Sequence, residues 1–339
     1  MSQTKHIEQF IEEALGSCII DVRTPQEFEQ GRIPGAINIP LFDNEERAIV
    51  GTLYKQEGKQ QAILKGLEIV GPKMANIVRL AQSASKDNTV FIHCWRGGMR
   101  SGSVAWLLEL YGMNVVVLKG GYKAFRNYVL NSFDRPIEIM ILGGKTGSGK
   151  THVLHQLKQK GAQIIDLEKL ANHKGSAFGA IGEEPQPSQE QFENELALQL
   201  NTLLLSKKVW LEDESKLIGK KCIPPALWSR MRVAPVIYID VSFEKRVKNL
   251  IDDYGKFPKE QLQESILKIS KRLGPEQTKI SIEALNNNDL KTVCEICLKY
   301  YDKTYEHGLH DREKLIMEEL DFGSLDFDII ADKLINTYK

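Results

Sequence analysis

The sequence predicts an α/β protein: a parallel-sheet domain, a second α/β domain built around a phosphate loop, and a helical C-terminal part. Three observations predict it. Short β-branched runs alternate with helical patterns, as in a parallel sheet covered on both faces. The alternation breaks at residues 131–136, where turn-forming residues mark a boundary, and then restarts. The chain has 339 residues, beyond the size at which one hydrophobic core usually stops growing.

The elements follow in order. Residues 17–22, 36–41, 89–94 and 114–120 are apolar, β-branched runs and read as strands, with helices at 74–85 and 101–112. After the boundary, strands are expected at 137–144, 162–167, 207–213 and 234–241, with a helix at 151–159. From about residue 242 the pattern turns helical and charged, over 244–255, 259–274 and 290–301. The expected division is 1–133, 134–242 and 243–339, the last part packing on the second.

Composition narrows the classes. Hydrophobic residues are 42% and charged residues 27%, ordinary for a globular chain. No apolar run is long enough for a membrane span. The first sixteen residues carry acids and lack a basic-then-apolar secretory pattern, so the expected location is cytoplasmic. Lys+Arg and Asp+Glu are 45 each, which excludes binding to nucleic acid by bulk charge and leaves room for a local basic groove. Five scattered cysteines, Cys18, Cys94, Cys222, Cys294 and Cys297, do not make a disulfide framework.

Cys94 stands out. It closes a strand and opens the loop Cys94-Trp95-Arg96-Gly97-Gly98-Met99-Arg100-Ser101, which leads into a helix. Loop N–H groups, a helix N-terminus, Arg96 and Arg100 would all favour a thiolate. Arginine falls six residues after the cysteine, a ring wide enough for a tetrahedral, phosphate-sized group. Two readings remain from the loop alone: hydrolysis of a phosphoester through phosphocysteine, or transfer from a donor that contains phosphate.

Gly144-Lys145-Thr146-Gly147-Ser148-Gly149-Lys150-Thr151 matches G-x-x-x-x-G-K-[ST] between a strand and a helix. Glycines let the backbone wrap phosphate oxygens, Lys150 pairs with them, and the Thr151 hydroxyl suits Mg²⁺. Downstream, Glu212, Asp213 and Glu214 end a strand, where a carboxylate can hold a metal-bound water. Glu212 and Asp213 are favoured equally. Such a loop binds a diphosphate or triphosphate; it does not by itself imply ATP hydrolysis.

Residues 1–130 resemble the rhodanese family through Asp21-Val22-Arg23-Thr24-Pro25-Gln26-Glu27-Phe28, Gly31 to Pro40, and Leu118-Lys119-Gly120-Gly121-Tyr122-Lys123-Ala124-Phe125. Members carry a chalcogen on the cysteine at the Cys94 position. The longer cysteine-to-arginine spacing departs from the common sulfur-transferring members.

The nearly full-length resemblance is to the tRNA 2-selenouridine synthase family. It rests on Phe91 to Ser101, Gly144 to Thr151, Ile165 to Gly179, Gln186 to Gln189, Phe192 to Asn194, Glu212 to Gly219 and Tyr300 to Asp302. It implies replacement of sulfur in a wobble 2-thiouridine of tRNA by selenium from selenophosphate, through an S-geranyl intermediate made with geranyl diphosphate. Cys94 would accept selenium as a selenylsulfide, with Arg100 assisting, and the phosphate loop would hold the prenyl diphosphate. Asp166, His173, Lys174, Ser176 and Glu214 join Glu212 and Asp213 as candidates for diphosphate, metal or substrate. No tightly bound cofactor is implied; Mg²⁺ is compatible with the site. Lys174 and Lys216 stand where members commonly have arginine, keeping charge but losing the bidentate fork.

Other readings are a cysteine-dependent phosphatase with a nucleotide-binding regulatory domain, and a P-loop kinase fused to a sulfur carrier. For tRNA, the basic residues Lys245, Arg246, Lys248, Lys256, Lys259, Lys268, Lys271 and Arg272 are candidates against the reading of a solvated helical surface. Cys294-x-x-Cys297 with His307-x-x-His310 fits common zinc modules poorly; the two cysteines suit the apolar face of a helix. His173 and Cys222 also read as packing residues.

Overall fold

The computed structural model describes residues 3–309, 314–321 and 326–338. Contacts divide the chain into two compact units, one of Met1–Ser132 with Glu193–Ala197, the other of Phe133–Phe192 with Leu198–Lys339.

The first unit is a five-stranded parallel sheet. Its strands are β1 (Gln3–Lys5), β2 (Cys18–Asp21), β3 (Ile37–Asn38), β4 (Thr89–His93) and β5 (Asn114–Leu118), in the order β1-β5-β4-β2-β3. Val90, Phe91, Ile92 and His93 are all buried, as expected for a central strand covered on both faces. Ile20, Val90, Ile92, Val104, Leu108 and Val117 share its core. β4 lies between β2 and β5, so the chain leaves the middle of the sheet into the Cys94 loop and enters the helix Met99–Leu110. That helix starts two residues before the sequence expectation.

The second unit holds another five-stranded parallel sheet, of β6 (Ile139–Gly143), β7 (Gln163–Ile164), β8 (Val209–Glu212), β11 (Val236–Asp240) and β12 (Ile316–Asp321), ordered β12-β11-β6-β8-β7. A short antiparallel pair, β9 (Leu217–Ile218) and β10 (Lys221–Cys222), stands apart. All five residues of β6 are buried. The phosphate loop follows it into the helix Lys150–Gln159.

The C-terminal part is helical as expected, with one strand that the sequence pattern did not announce. The helices Phe243–Tyr254, Lys259–Leu273, Pro275–Asn286 and Leu290–Leu309 form, but the chain then returns as β12 beside β11. β12 is an edge strand reading Ile-Met-Glu-Glu-Leu-Asp, too polar to announce itself; its burial is supplied by β11 and the helix Phe327–Thr337, whose Ile330, Ala331 and Leu334 join the core.

Among the described residues no helix is long and apolar enough to cross a membrane.

Candidate functional site

The first site is built by three segments of the first unit. Cys94 lies just beyond β4, with only 3% of its surface exposed. Burial pushes its thiol up, but the Ser101 hydroxyl and the N–H groups of Ser101, Arg96 and Gly98 outweigh it, so the thiol titrates below its usual range. The Ser101 Oγ is 3.2 Å from Sγ and also 3.2 Å from the Gly98 carbonyl oxygen.

The loop's shape depends on glycine. Gly97 is left-handed (φ +66°), and a Cβ on Gly121 would meet the Cys94 carbonyl oxygen at 2.3 Å and the Gly97 nitrogen at 2.4 Å. Tyr122 N–H donates to the Cys94 oxygen (2.8 Å) and Lys123 N–H to the Trp95 oxygen (3.0 Å). The Leu118–Phe125 motif is therefore the clamp on the cysteine loop.

The upstream motif provides charge. Asp21 and Arg23 form a fully buried pair, with the guanidinium 3.6 Å from the centre of the Tyr122 ring. Thr24 caps the helix Pro25–Gln30 in a capping box with Glu27. The same Glu27 carboxylate, which accepts the Thr24 N–H, also takes Arg100 through Nη1 at 2.7 Å and Nη2 at 3.3 Å. Burial raises the Glu27 carboxyl, but Arg100, Thr24 N–H and Arg23 hold it below its usual range. Arg100 is thus fixed by its two terminal nitrogens beside the loop. Arg96, Trp95 and Met99 are solvent-exposed. His93 is fully buried, its Nε2 3.8 Å from the Asp21 carboxylate, and burial holds it below its usual range.

The second site lies after β6. Gly147 and Gly149 are left-handed (φ +78° and +79°), and Gly149 ends at the N-terminus of the helix Lys150–Gln159, where backbone N–H groups favour an anion. Lys150 Nζ donates to the Gly144 oxygen at 2.9 Å. Lys145 and Thr146 are half-buried, while Ser148 is buried with its hydroxyl unpartnered. Neighbouring helices hold the loop from outside. Arg246 is bidentate to Asp302 (2.8 and 2.7 Å) and donates to the Thr146 oxygen, and Asn249 donates to the Gly147 oxygen. Arg246 is only 4% exposed; this candidate for tRNA contact is instead a brace of the phosphate loop. Lys248, Lys268 and Lys271 remain exposed.

Carboxylates gather beside this loop. Single ligand atoms of Glu168, Glu212 and Glu214 all lie within 4.8 Å of one another. Glu212 is buried, accepts from Thr151, and keeps Oε1 without a partner. Burial first, then the adjoining carboxylates, pushes Glu168 up to about 10 and Glu214 up to about 8, and burial also raises Glu212. Such a group takes up protons or a cation. Three carboxylates, an unpartnered buried oxygen and the Thr151 hydroxyl fit a hard divalent cation such as Mg²⁺.

The other candidates separate. Asp213 accepts from Tyr305, whose hydroxyl oxygen accepts the Gly144 N–H. Asp166 caps the helix Leu167–Ala171 and pairs with His155. The left-handed Gly175 brings the backbone against Glu214 and Glu168. Ser176 caps its own turn at Phe178, and Lys174 pairs with Glu183. His173 keeps a buried Nδ1 without a partner and is held below its usual range by burial and Lys268.

Glu27, Glu168 and Tyr305 were not among the residues singled out from sequence. Glu168 lies within a motif segment but looks like an ordinary first-turn acid; Glu27 looks like a cap alone. Cys294 and Cys297 are pushed up to about 11 and 12 by burial, and Cys297 packs in a core with Ile266 and Leu285. Neither belongs to the carboxylate group, and His310 lies outside the described residues.

Fold and sites together define a rhodanese-like thiolate domain followed by a P-loop domain. Residues 4–128 match the rhodanese-like domain, and residues 137–324, more than half of the chain, match the tRNA 2-selenouridine synthase AAA domain. The chain is 35% identical to a tRNA 2-selenouridine synthase of Shewanella frigidimarina over 88% of its own length and 90% of that protein's. It is 44% identical to one from Bdellovibrio bacteriovorus and 39% identical to one from Nitrosomonas europaea, each over 70% of this chain. It spans 64% and 63% of those two proteins' lengths. A solved domain of a Clostridium difficile 630 protein described as ATP/GTP binding is 43% identical, covering 38% of this chain and 99% of its own, with a TM-score of 0.35. The chain belongs to the tRNA 2-selenouridine synthase family.

Proposed function

We propose that this chain is a transferase that converts a wobble 2-thiouridine of tRNA to 2-selenouridine. Two steps are assigned to its two sites. In the first, the thiocarbonyl sulfur attacks the prenyl carbon of geranyl diphosphate, the carbon–oxygen bond breaks, diphosphate leaves, and the base gives up its N3 proton to the departing diphosphate. Lys150 and the N–H groups around Gly147, Ser148 and Gly149 stabilise the departing charge. Glu168, Glu212, Glu214 and Thr151 would hold Mg²⁺, which supplies further charge neutralisation when bound. In the second, Cys94 engages selenophosphate covalently and selenium displaces the S-geranyl group.

The observation that carries this reading is the Cys94 thiol, lowered against its own burial by the Ser101 hydroxyl 3.2 Å away and by three loop N–H groups, in a loop whose arginine falls six residues after the cysteine. Family membership does not favour the phosphatase reading, and the phosphate loop then acts on a diphosphate leaving group without nucleotide hydrolysis. Cytoplasmic action on tRNA follows from the same reading.

The test is nucleoside analysis of 2-thiouridine tRNA treated with each donor separately and together. Geranyl diphosphate alone should give the S-geranyl nucleoside, and selenophosphate added to it should give selenouridine. Aryl phosphate turnover lost in Cys94→Ser, with no selenouridine from any donor combination, would return the chain to the phosphatase reading.

A further inference from the structure

Selenium has the same low oxidation level in selenophosphate as in a 2-selenouracil. A thiolate that attacks selenium sends the selenium–phosphorus electron pair to phosphorus, which leaves as phosphite. The selenylsulfide left behind then needs two electrons, as from a second thiol, before selenium can finish on carbon. Among the described residues no second thiol stands at the loop. Cys18 pairs in register with Val90 at the start of β4, whereas Cys94 follows its end. Cys222, Cys294 and Cys297 belong to the other unit.

Attack at phosphorus has no such deficit, and the loop is built for it. Five residues separate Cys94 from Arg100. The N–H groups of Arg96, Gly98 and Ser101 converge on Sγ at the floor of the ring. Glu27 grips Arg100 through its two terminal nitrogens, leaving the Nε edge for a phosphoryl oxygen. Among the described residues, the carboxylates bonded beside this loop are committed, Glu27 to Arg100 and Asp21 to Arg23. A phosphate ester needs an acid to protonate its leaving alkoxide. Selenide does not, because hydrogen selenide is a far stronger acid than an alcohol. The loop thus suits a phosphoryl donor whose leaving group departs as an anion.

We propose that Cys94 bonds to the phosphorus of selenophosphate, giving S-phosphocysteine and hydrogen selenide, in place of the selenylsulfide implied by the family resemblance. This rests on the selenotransferase reading above. Three balanced steps follow. The Sγ–P bond forms, the P–Se bond breaks, and selenium leaves with the electron pair and the donor's proton. Hydrogen selenide adds to C2 of the S-geranyl base; the C2–S bond breaks, the selenium-borne hydrogen ends on N3, and geranylthiolate departs. Water then attacks phosphorus, the S–P bond breaks, phosphate leaves, and the proton released by water neutralises geranylthiolate. Ser101, 3.2 Å from Sγ, stabilises the thiolate as it leaves. No oxidant or reductant is consumed.

The experiment mixes the full-length protein and S-geranylated tRNA with selenophosphate carrying radiophosphorus or radioselenium, followed by rapid acid quench. The two adducts are nearly equal in mass, so the label decides. Radiophosphorus should appear on the wild type, persist about tenfold longer in Ser101→Ala, and be absent from Cys94→Ser, with phosphate in the medium. Radioselenium on Cys94 with phosphite in the medium overturns the proposal, as does selenouridine formation with no radiophosphorus on either the wild type or Ser101→Ala. Selenouridine is measured in the same tubes. If it never forms, the functional reading fails, and the phosphorus label still judges the chemistry of Cys94.

Discussion

Removing the Ser101 hydroxyl takes one donor from a buried thiolate and puts nothing in its place. Ser101 is fully buried, so water does not replace it. Its single proton has two acceptors at 3.2 Å, the Cys94 sulfur and the Gly98 oxygen. With sulfur protonated, S–H donates to Oγ and the hydroxyl donates to Gly98; with sulfur ionised, the hydroxyl turns to sulfur. A hydrogen bond to a charged group is worth about 1.5–3 kcal/mol, and one pKa unit is about 1.4 kcal/mol. Ser101→Ala should therefore raise the Cys94 pKa by about one to two units. The assay is thiolate absorbance against pH, as the difference between each protein and the same protein carrying Cys94→Ser. The difference removes the other four cysteines, of which Cys294 and Cys297 titrate only near 11 and 12. Ser101→Thr, which keeps a hydroxyl, should move the midpoint back toward wild type. An unmoved midpoint in Ser101→Ala would refute the reasoning, because the three N–H groups would then account for the whole effect.

Cys94→Ser should abolish selenium incorporation and leave S-geranylation of thiolated tRNA largely intact, whereas Lys150→Ala should impair geranylation; nucleoside profiles of the two variants that lose the same half-step would undo this division. Gly121→Ala forces a Cβ to 2.3 Å from the Cys94 oxygen in a left-handed residue, and should cost the selenium step at least tenfold, read by turnover of S-geranylated tRNA. Burial and the adjoining carboxylates push Glu168 up to about 10 and Glu214 up to about 8, above their unfolded values, so the fold binds more protons than the unfolded chain. Without a divalent cation, thermal stability should fall as pH rises from about 5 through 8, and Mg²⁺ or Glu214→Gln should flatten that fall in a melting series. Asp302→Asn leaves buried Arg246 without its charged partner; a loss of about 3–5 kcal/mol in denaturant unfolding is expected, together with weaker diphosphate binding as the Thr146 contact loosens.

Both candidate sites are legible in the sequence because each is a short, continuous loop built largely from backbone groups. Residues 94–101 and 144–151 carry their own glycines, donors and charges, so spacing alone reveals a thiolate ring and a phosphate cradle. The alternation of buried strands and helices likewise revealed both parallel sheets, since a strand covered on both faces must be apolar along its length. The edge strand β12 escaped because its neighbour supplies the burial.

What the tertiary structure alone decided is pairing between distant residues. Glu27 meets Arg100 across 73 positions, Asp302 meets Arg246 across 56, and Glu168 joins Glu212 and Glu214 only when the Asp166 turn folds against the end of β8. A carboxylate looks the same in sequence whether it caps a helix, pins an arginine or shares a cation. Its charge state and partner are set by burial and by which chain segments the sheet order brings together, and those are properties of the folded chain, not of any local pattern of residues.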